Sequence, residues 1–265
     1  LIDLKNRNVK FIGDPQKRIE EDYLRIIRFL RFKIMYDPKI ETTTIDAIKQ
    51  NLNGIHKISK ERILLELFKI LDLNNFLIVN ENYQLKEIFN KIFPEFLYFK
   101  RLKRLKEISK YSQLNKDIFL AVLLIDEKAN QEYFSHKYRI SNKLKNTLIK
   151  LASDLIILKK DRHFFEKDLI KNLYLYGRNH LHSLAVLFYT SNPKFKQNIF
   201  SNILTKILKS EIPKFNITGE HLKQNGMKEG ELLGKVLKLI EKEWINNSFE
   251  ISNEKIKEII KIYSN

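Results

Sequence analysis

Asp22 and Arg25 stand three residues apart in the stretch Glu21-Asp22-Tyr23-Leu24-Arg25. On a helix that spacing makes their side chains neighbours on one face. A carboxylate only accepts hydrogen bonds and a guanidinium only donates. Side by side they form an acceptor–donor template. Cytosine and adenine each offer an amino donor beside a ring-nitrogen acceptor, and uracil and guanine offer the reverse. One Asp/Arg pair can therefore accept C and A, while U and G would leave its groups unpaired. An ordinary helix ion pair, worth a few tenths of a kcal/mol, is the competing reading of the same spacing.

Helices must position these groups, and the chain reads as all-α. It has 7 Gly and 5 Pro in 265 residues, so breakers are few. Asp14-Pro15 sets an N-cap residue before an N1 proline, and the helix that follows is expected to run to about Met35. Asp37-Pro38 interrupts it. Thr42–Leu52 reads as a second helix closed by Gly54. Ser59 caps a third, Lys60–Leu71, whose Ile63, Leu64, Leu67, Phe68 and Leu71 share one face. Further helices are expected near Tyr83–Ile92, Phe96–Tyr111, Lys116–Leu124, Asn142–Leu158, Glu166–Tyr176, His180–Tyr189 and Pro193–Ser210. Gly219, Gly226, Gly230 and Gly234 cluster after Pro213 and mark a small unit of two helices around a glycine-rich turn.

The formal net charge is +17 and the pI about 9.7, which points to a polyanionic partner. Without cysteine there can be no disulfide, thiolate metal site or cysteine nucleophile, a composition suited to a reducing cytoplasm. The longest apolar run, Ile118–Ile125, is too short to span a bilayer, so no membrane role is expected. His180 and His182 are two apart and do not share a helix face, which argues against a metal site. The run Lys100-Arg101-Leu102-Lys103-Arg104-Leu105-Lys106 reads either as a basic face tracking RNA phosphates or as a solvated face over buried leucines. Gly226, Gly230 and Gly234 fit either helix amides approaching a phosphate or a close helix crossing.

The stretch IGDPQKRIEEDYLRIIRFLRF resembles the neck of class II CCA-adding enzymes and bacterial poly(A) polymerases, template-independent nucleotidyltransferases that extend RNA 3′ ends. The resemblance implies that Asp22 and Arg25 read the incoming base. It implies that Arg18, Glu21 and Arg28 support the nucleotide, and that Gly13, Asp14 and Pro15 form a hinge to a catalytic head. Ser59-Lys60-Glu61-Arg62-Ile63 matches the family's S-x-E-R-I motif, in which Glu61 and Arg62 would brace the neck. ITGEHLKQNGMKEGELLGKVL resembles the C-terminal RNA-binding element of bacterial members. Implied substrates are CTP and ATP, the implied cofactor is Mg²⁺, and the implied partner is tRNA or another RNA. CCA addition and poly(A) addition use the same template residues.

The family's head also carries a D-x-D carboxylate pair that holds two metal ions. No D-x-D occurs in these 265 residues. The expected organisation is therefore a head remnant over residues 1–12 (LIDLKNRNV in its first nine), a neck over 13–75, a body over 76–210 and an RNA-binding tail over 211–265. On that reading the chain contributes base selection and RNA binding, and the reaction centre lies elsewhere. The alternative is a catalytically inactive RNA-binding protein from a split or truncated gene, with or without a separate head polypeptide acting in trans. Lys100, Arg101, Lys103, Arg104, Gly226 and Gly230 are its candidate RNA contacts.

Overall fold

A computed structural model describes residues 9–264 apart from 39, 127, 162 and 163. The expected head remnant lies almost wholly outside the described residues. The described residues contain fifteen α-helices and two 3₁₀ turns and no strand. The chain divides into two compact units, Leu1–Arg162 with His182–Leu204, and His163–Leu181 with Thr205–Asn265. Residues 164–181 thus group with the segment from Thr205 onward. Among the described residues no helix is long and apolar enough to cross a membrane.

In the first unit Asp14 opens α1 (Pro15–Glu21), its Oδ1 accepting the Gln16 N–H at 2.9 Å. Pro15 occupies the first helical position, where no amide hydrogen is needed. The helix expected to continue to Met35 instead stops here. Asp22 is extended (φ −154°, ψ 102°), and a second helix, α2, runs from Leu24 to Tyr36. Two contacts explain the break. The Asp22 Oδ1 accepts the Leu24 N–H at 3.1 Å, a local bond that competes with the helical ladder. The Tyr23 ring packs against Gly54, where an added Cβ would lie 2.0 Å from two of its carbons.

Gly54 is thus needed for close approach and not for a helix cap. Its φ is not positive, and the chain carries on through a 3₁₀ turn, Leu52–Lys57, after α3 (Thr42–Asn51). Ser59 caps α4 (Lys60–Leu71) as expected, its Oγ accepting the Arg62 N–H at 3.4 Å. α1 packs on α3, and α2 packs on α4. Ile19, Ile26, Ile27, Leu30, Ile34, Ile48, Leu67 and Ile70 are almost fully buried there. The buried face of α4 is turned from the expected one: Glu66 and Ile70 are inside, and Leu64 and Phe68 are only partly covered.

The first unit continues through α5 (Tyr83–Ile92), α6 (Arg101–Ile108), α7 (Lys116–Leu124), α8 (Asn130–Tyr138) and α9 (Asn142–Lys160). A buried aromatic cluster of Phe76, Phe89, Phe93, Phe96, Phe119, Phe134 and Tyr138 ties α5, α7 and α8 together. α8 has almost no amphipathic pattern, so periodicity misses it. The chain passes between units within α11 (Arg178–Ser191) and α12 (Gln197–Lys209).

The second unit holds α10 (Leu169–Tyr176), α13 (Gly219–Gln224), α14 (Glu231–Asn246) and α15 (Asn253–Ser264). Its core is Leu222, Met227, Val236, Ile240, Ile256 and Ile260. Trp244 is buried among Tyr174, Phe215 and Phe249.

Candidate nucleotide and RNA site

The break after Glu21 changes how the template residues are held. Asp22 is not helical, but the Arg25 N–H still bonds the Asp22 carbonyl at 3.0 Å, so one tight turn links the two positions. Their side chains do not pair with each other. Asp22 Oδ2 accepts from Arg62 Nη2 at 3.0 Å, across from α4. Arg25 Nη1 donates to Glu21 Oε2 at 2.6 Å and to the Arg18 carbonyl at 2.8 Å. Arg18 in turn grips Glu21 through Nη1 at 3.0 and 3.1 Å and donates from Nε to the Ile12 carbonyl at 2.9 Å. Hydrogen bonds from Arg25, then from Arg18, hold the Glu21 carboxyl below the usual range.

The simple helix ion pair between Asp22 and Arg25 is therefore not what forms. Each group keeps unused capacity. The Arg25 bonds use only Nη1, leaving Nη2 and Nε donors, and each Asp22 oxygen retains a lone pair. The two side chains are about one-third exposed, so both are open to a ligand.

Arg62 of the S-x-E-R-I motif reaches the template directly. Glu61 does not: it sits exposed in the first turn of α4, its carboxyl lowered by its own backbone N–H and by Ser59. Arg28, a turn beyond Arg25, lies 3.5 Å from Glu66. Gly13 has φ 87°, in the left-handed region that glycine tolerates, immediately before the Asp14-Pro15 helix start. Tyr23 and Gly54 pack together beside Asp22, and Glu66 meets Arg28 and Arg31; none of the three is singled out by the sequence. The available signal was a carboxylate, Glu66, set among Ile63, Leu67 and Ile70 on an apolar face.

The basic run of α6 is only partly available to a polyanion. Arg101 donates to the Val122 and Ile125 carbonyls at 3.1 and 2.9 Å and lies 3.7 Å over the Tyr98 ring. Arg104 donates to the carbonyls of Tyr189, Pro193 and Phe195 at 2.9, 3.1 and 2.6 Å. Both guanidiniums are structural, because they satisfy carbonyls at helix ends and in the turns that follow. Lys100 and Lys103 remain exposed. We expect Arg104→Ala to cost about 2–4 kcal/mol in chemical denaturation, since three acceptors lose a charged donor. Arg104→Lys should recover little, because one ammonium cannot span three carbonyls.

In the second unit Gly226 (φ 94°) and Gly230 (φ 151°) serve turns, and Gly230 immediately precedes α14. An added Cβ at Gly226, Gly230 or Gly234 would meet nothing within 4 Å, so no close helix crossing explains them. Lys228, Lys235, Lys238 and Lys242 lie near or on α14, and all four are exposed. His182 bonds Ser112 at 2.8 Å, and burial lowers its pKa. Among the described residues no three His, Asp or Glu side chains gather to hold a metal ion. The Mg²⁺ that the resemblance implies has no ligand set there.

The chain is similar to several known proteins. A family profile described as "Probable RNA and SrmB- binding site of polymerase A" matches residues 39–99. The CCA-adding enzyme of Lactococcus lactis subsp. cremoris (strain MG1363) is 32% identical over 272 residues, covering 97% of this chain and 62% of that protein. The mitochondrial CCA tRNA nucleotidyltransferase 1 of Danio rerio is 26% identical over 267 residues, covering 96% and 59%. The chain thus spans about three fifths of the curated relatives it matches. Two solved structures share the fold. A CCA-adding enzyme with ATP has a TM-score of 0.62 at 21% identity, covering 98% of this chain and 63% of that one. The Thermotoga maritima CCA-adding enzyme complexed with tRNA has a TM-score of 0.60 at 21% identity, covering 98% and 65%.

An all-α chain with this helix order shares the helical fold of the matched CCA-adding enzymes. It belongs to the class II CCA-adding/poly(A) polymerase family and matches that family's C-terminal portion.

Proposed function

We propose that the chain selects CTP and ATP and holds tRNA for the addition of CCA to tRNA 3′ ends. The observation that carries this is the pair of separately anchored template groups, Asp22 on Arg62 and Arg25 on Glu21. Anchoring matters because a base edge is read by groups already in place, at little ordering cost on binding. The Asp22 carboxylate would accept the amino hydrogen of cytosine or adenine, and Arg25 would donate to the adjoining ring nitrogen. U and G would present an acceptor to Asp22 and a donor to Arg25. CCA addition is preferred to poly(A) addition because the matched relatives are CCA-adding enzymes and CCA tRNA nucleotidyltransferases.

RNA would be held by charge and shape. The net charge of +17, the exposed Lys100 and Lys103, and the lysines near and on α14 supply phosphate contacts. No step of the proposal runs through a metal, for which the described residues offer no ligand set. The joining chemistry is assigned to a nucleotidyltransferase head, whose D-x-D pair these 265 residues do not contain.

The test combines the chain with a head domain, Mg²⁺, tRNA lacking its 3′ end and each nucleoside triphosphate in turn. The expected result is incorporation of C and A but not U or G. Equal incorporation of all four would sink the base-selection reading. Binding of the same tRNA should weaken about tenfold or more between roughly 50 and 200 mM salt. No binding at low salt would remove the RNA reading.

A further inference from the structure

Arg62 and Glu66 are four residues apart on α4, so their side chains share one face. Arg62 bonds Asp22 at the start of α2. Glu66 reaches α2 further along, lying 3.5 Å from Arg28 and 3.1 Å from Arg31, with Lys69 of its own helix at 2.9 Å. Only 3% of the Glu66 side chain is exposed. The α4 face therefore holds α2 at two points, one at the base template and one a turn or two past Arg25.

Stability does not explain Glu66. A buried carboxylate loses its water, and an apolar residue of similar size often does as well or better. The bonding is also incomplete. The Arg31 Nε and Glu66 Oε2 are both buried, yet neither makes a hydrogen bond despite their 3.1 Å approach. What the charge supplies is register. The rest of the α2–α4 contact is aliphatic, with Ile27, Leu30, Ile34, Ile63, Leu67 and Ile70 buried. Aliphatic ridges tolerate sliding or rotation of one helix on another, whereas a carboxylate among Arg28, Arg31 and Lys69 has one favourable position. A shift of α4 along α2 would carry Arg62 away from Asp22.

We propose that Glu66 is a positioning residue for base selection, pinning α4 against α2 so that Arg62 orients the Asp22 carboxylate. It acts through Arg62 and need not touch the nucleotide. The proposal rests on the reading of Asp22 and Arg25 as the base template.

The test uses Glu66→Gln, which keeps size and removes charge. In the reconstituted incorporation assay the preference for CTP over UTP should fall about tenfold, the scale expected for a small misplacement of a reacting or recognising group. tRNA affinity should stay within about twofold, because no phosphate contact changes. In an Arg62→Met background the same substitution should have no further effect on preference, since its route to Asp22 is already cut. A purely structural role would lower thermal stability and leave the preference alone. If Glu66→Gln does not fold, Arg31→Gln replaces it, because the carboxylate keeps Arg28 and Lys69. The expected loss is then about threefold. Unchanged preference in the folded variant, or the same loss with and without Arg62, would overturn the proposal. If Asp22→Ala also leaves the preference unchanged, the base-template reading itself has failed. If Asp22→Ala abolishes it and Glu66→Gln does not, only the role of Glu66 has.

Discussion

Asp22→Ala should lower the preference for CTP and ATP over UTP and GTP about 100-fold while leaving tRNA affinity within about twofold. The size of the effect follows from what the carboxylate does. A site built to hydrogen-bond a donor rejects a ligand that lacks it, because a buried acceptor would go unpaired. Alanine removes that penalty. It also frees Arg62, whose Nη2 bonds Asp22 Oδ2 at 3.0 Å. The Leu24 amide loses its 3.1 Å partner as well, so the start of α2 is less well fixed. Asp22→Asn separates these effects. Its carbonyl oxygen can still cap Leu24, while its NH₂ group cannot accept from a base or from Arg62. Preference measured by competition between CTP and UTP, beside tRNA binding by filter retention, decides the matter. Equal losses in the two measurements would speak against base reading.

Gly54→Ala is expected to cost about 2–4 kcal/mol, at the upper end for overpacking. The added Cβ would fall 2.0 Å from two carbons of the Tyr23 ring and 2.5 Å from a third. An aromatic ring cannot bend out of the way, so the whole Tyr23 side chain or the 3₁₀ turn must move. Tyr23 follows Asp22 directly, so moving it disturbs the helix break that presents the template. The Gly54→Ala/Tyr23→Ala double variant should recover much of the lost stability, because the clash requires both partners. Urea denaturation of the single and double variants measures this. A fully additive cost would show that the ring contact is not the cause.

Asp22 and Gly54 differ in what their local sequence specifies. The chemistry of Asp22 and Arg25 was legible because donor and acceptor capacity belongs to residue type. The all-α class was legible because breakers are scarce and apolar spacing follows the helix period. Asp14, Ser59 and Asp37–Pro38 were legible because caps and prolines act on their immediate neighbours. The break at Asp22 was not, since it depends on Gly54, about thirty residues on, accepting the Tyr23 ring. The loss of Arg101 and Arg104 from the basic face was not, since carbonyls at Ile125, Tyr189 and Phe195 claim them.

The amino-acid sequence thus determined the donor and acceptor capacity of Asp22 and Arg25 and the all-α class around them, because those properties are local. Only the tertiary structure decided how the groups are held: Asp22 by Arg62, Arg25 by Glu21, and Glu66 sealed between the two helices. The Asp22–Arg62 and Glu66–Arg31 contacts join segments far apart in the chain, where no spacing rule specifies which cation meets which carboxylate; only Arg25 and Glu21, four residues apart, follow one.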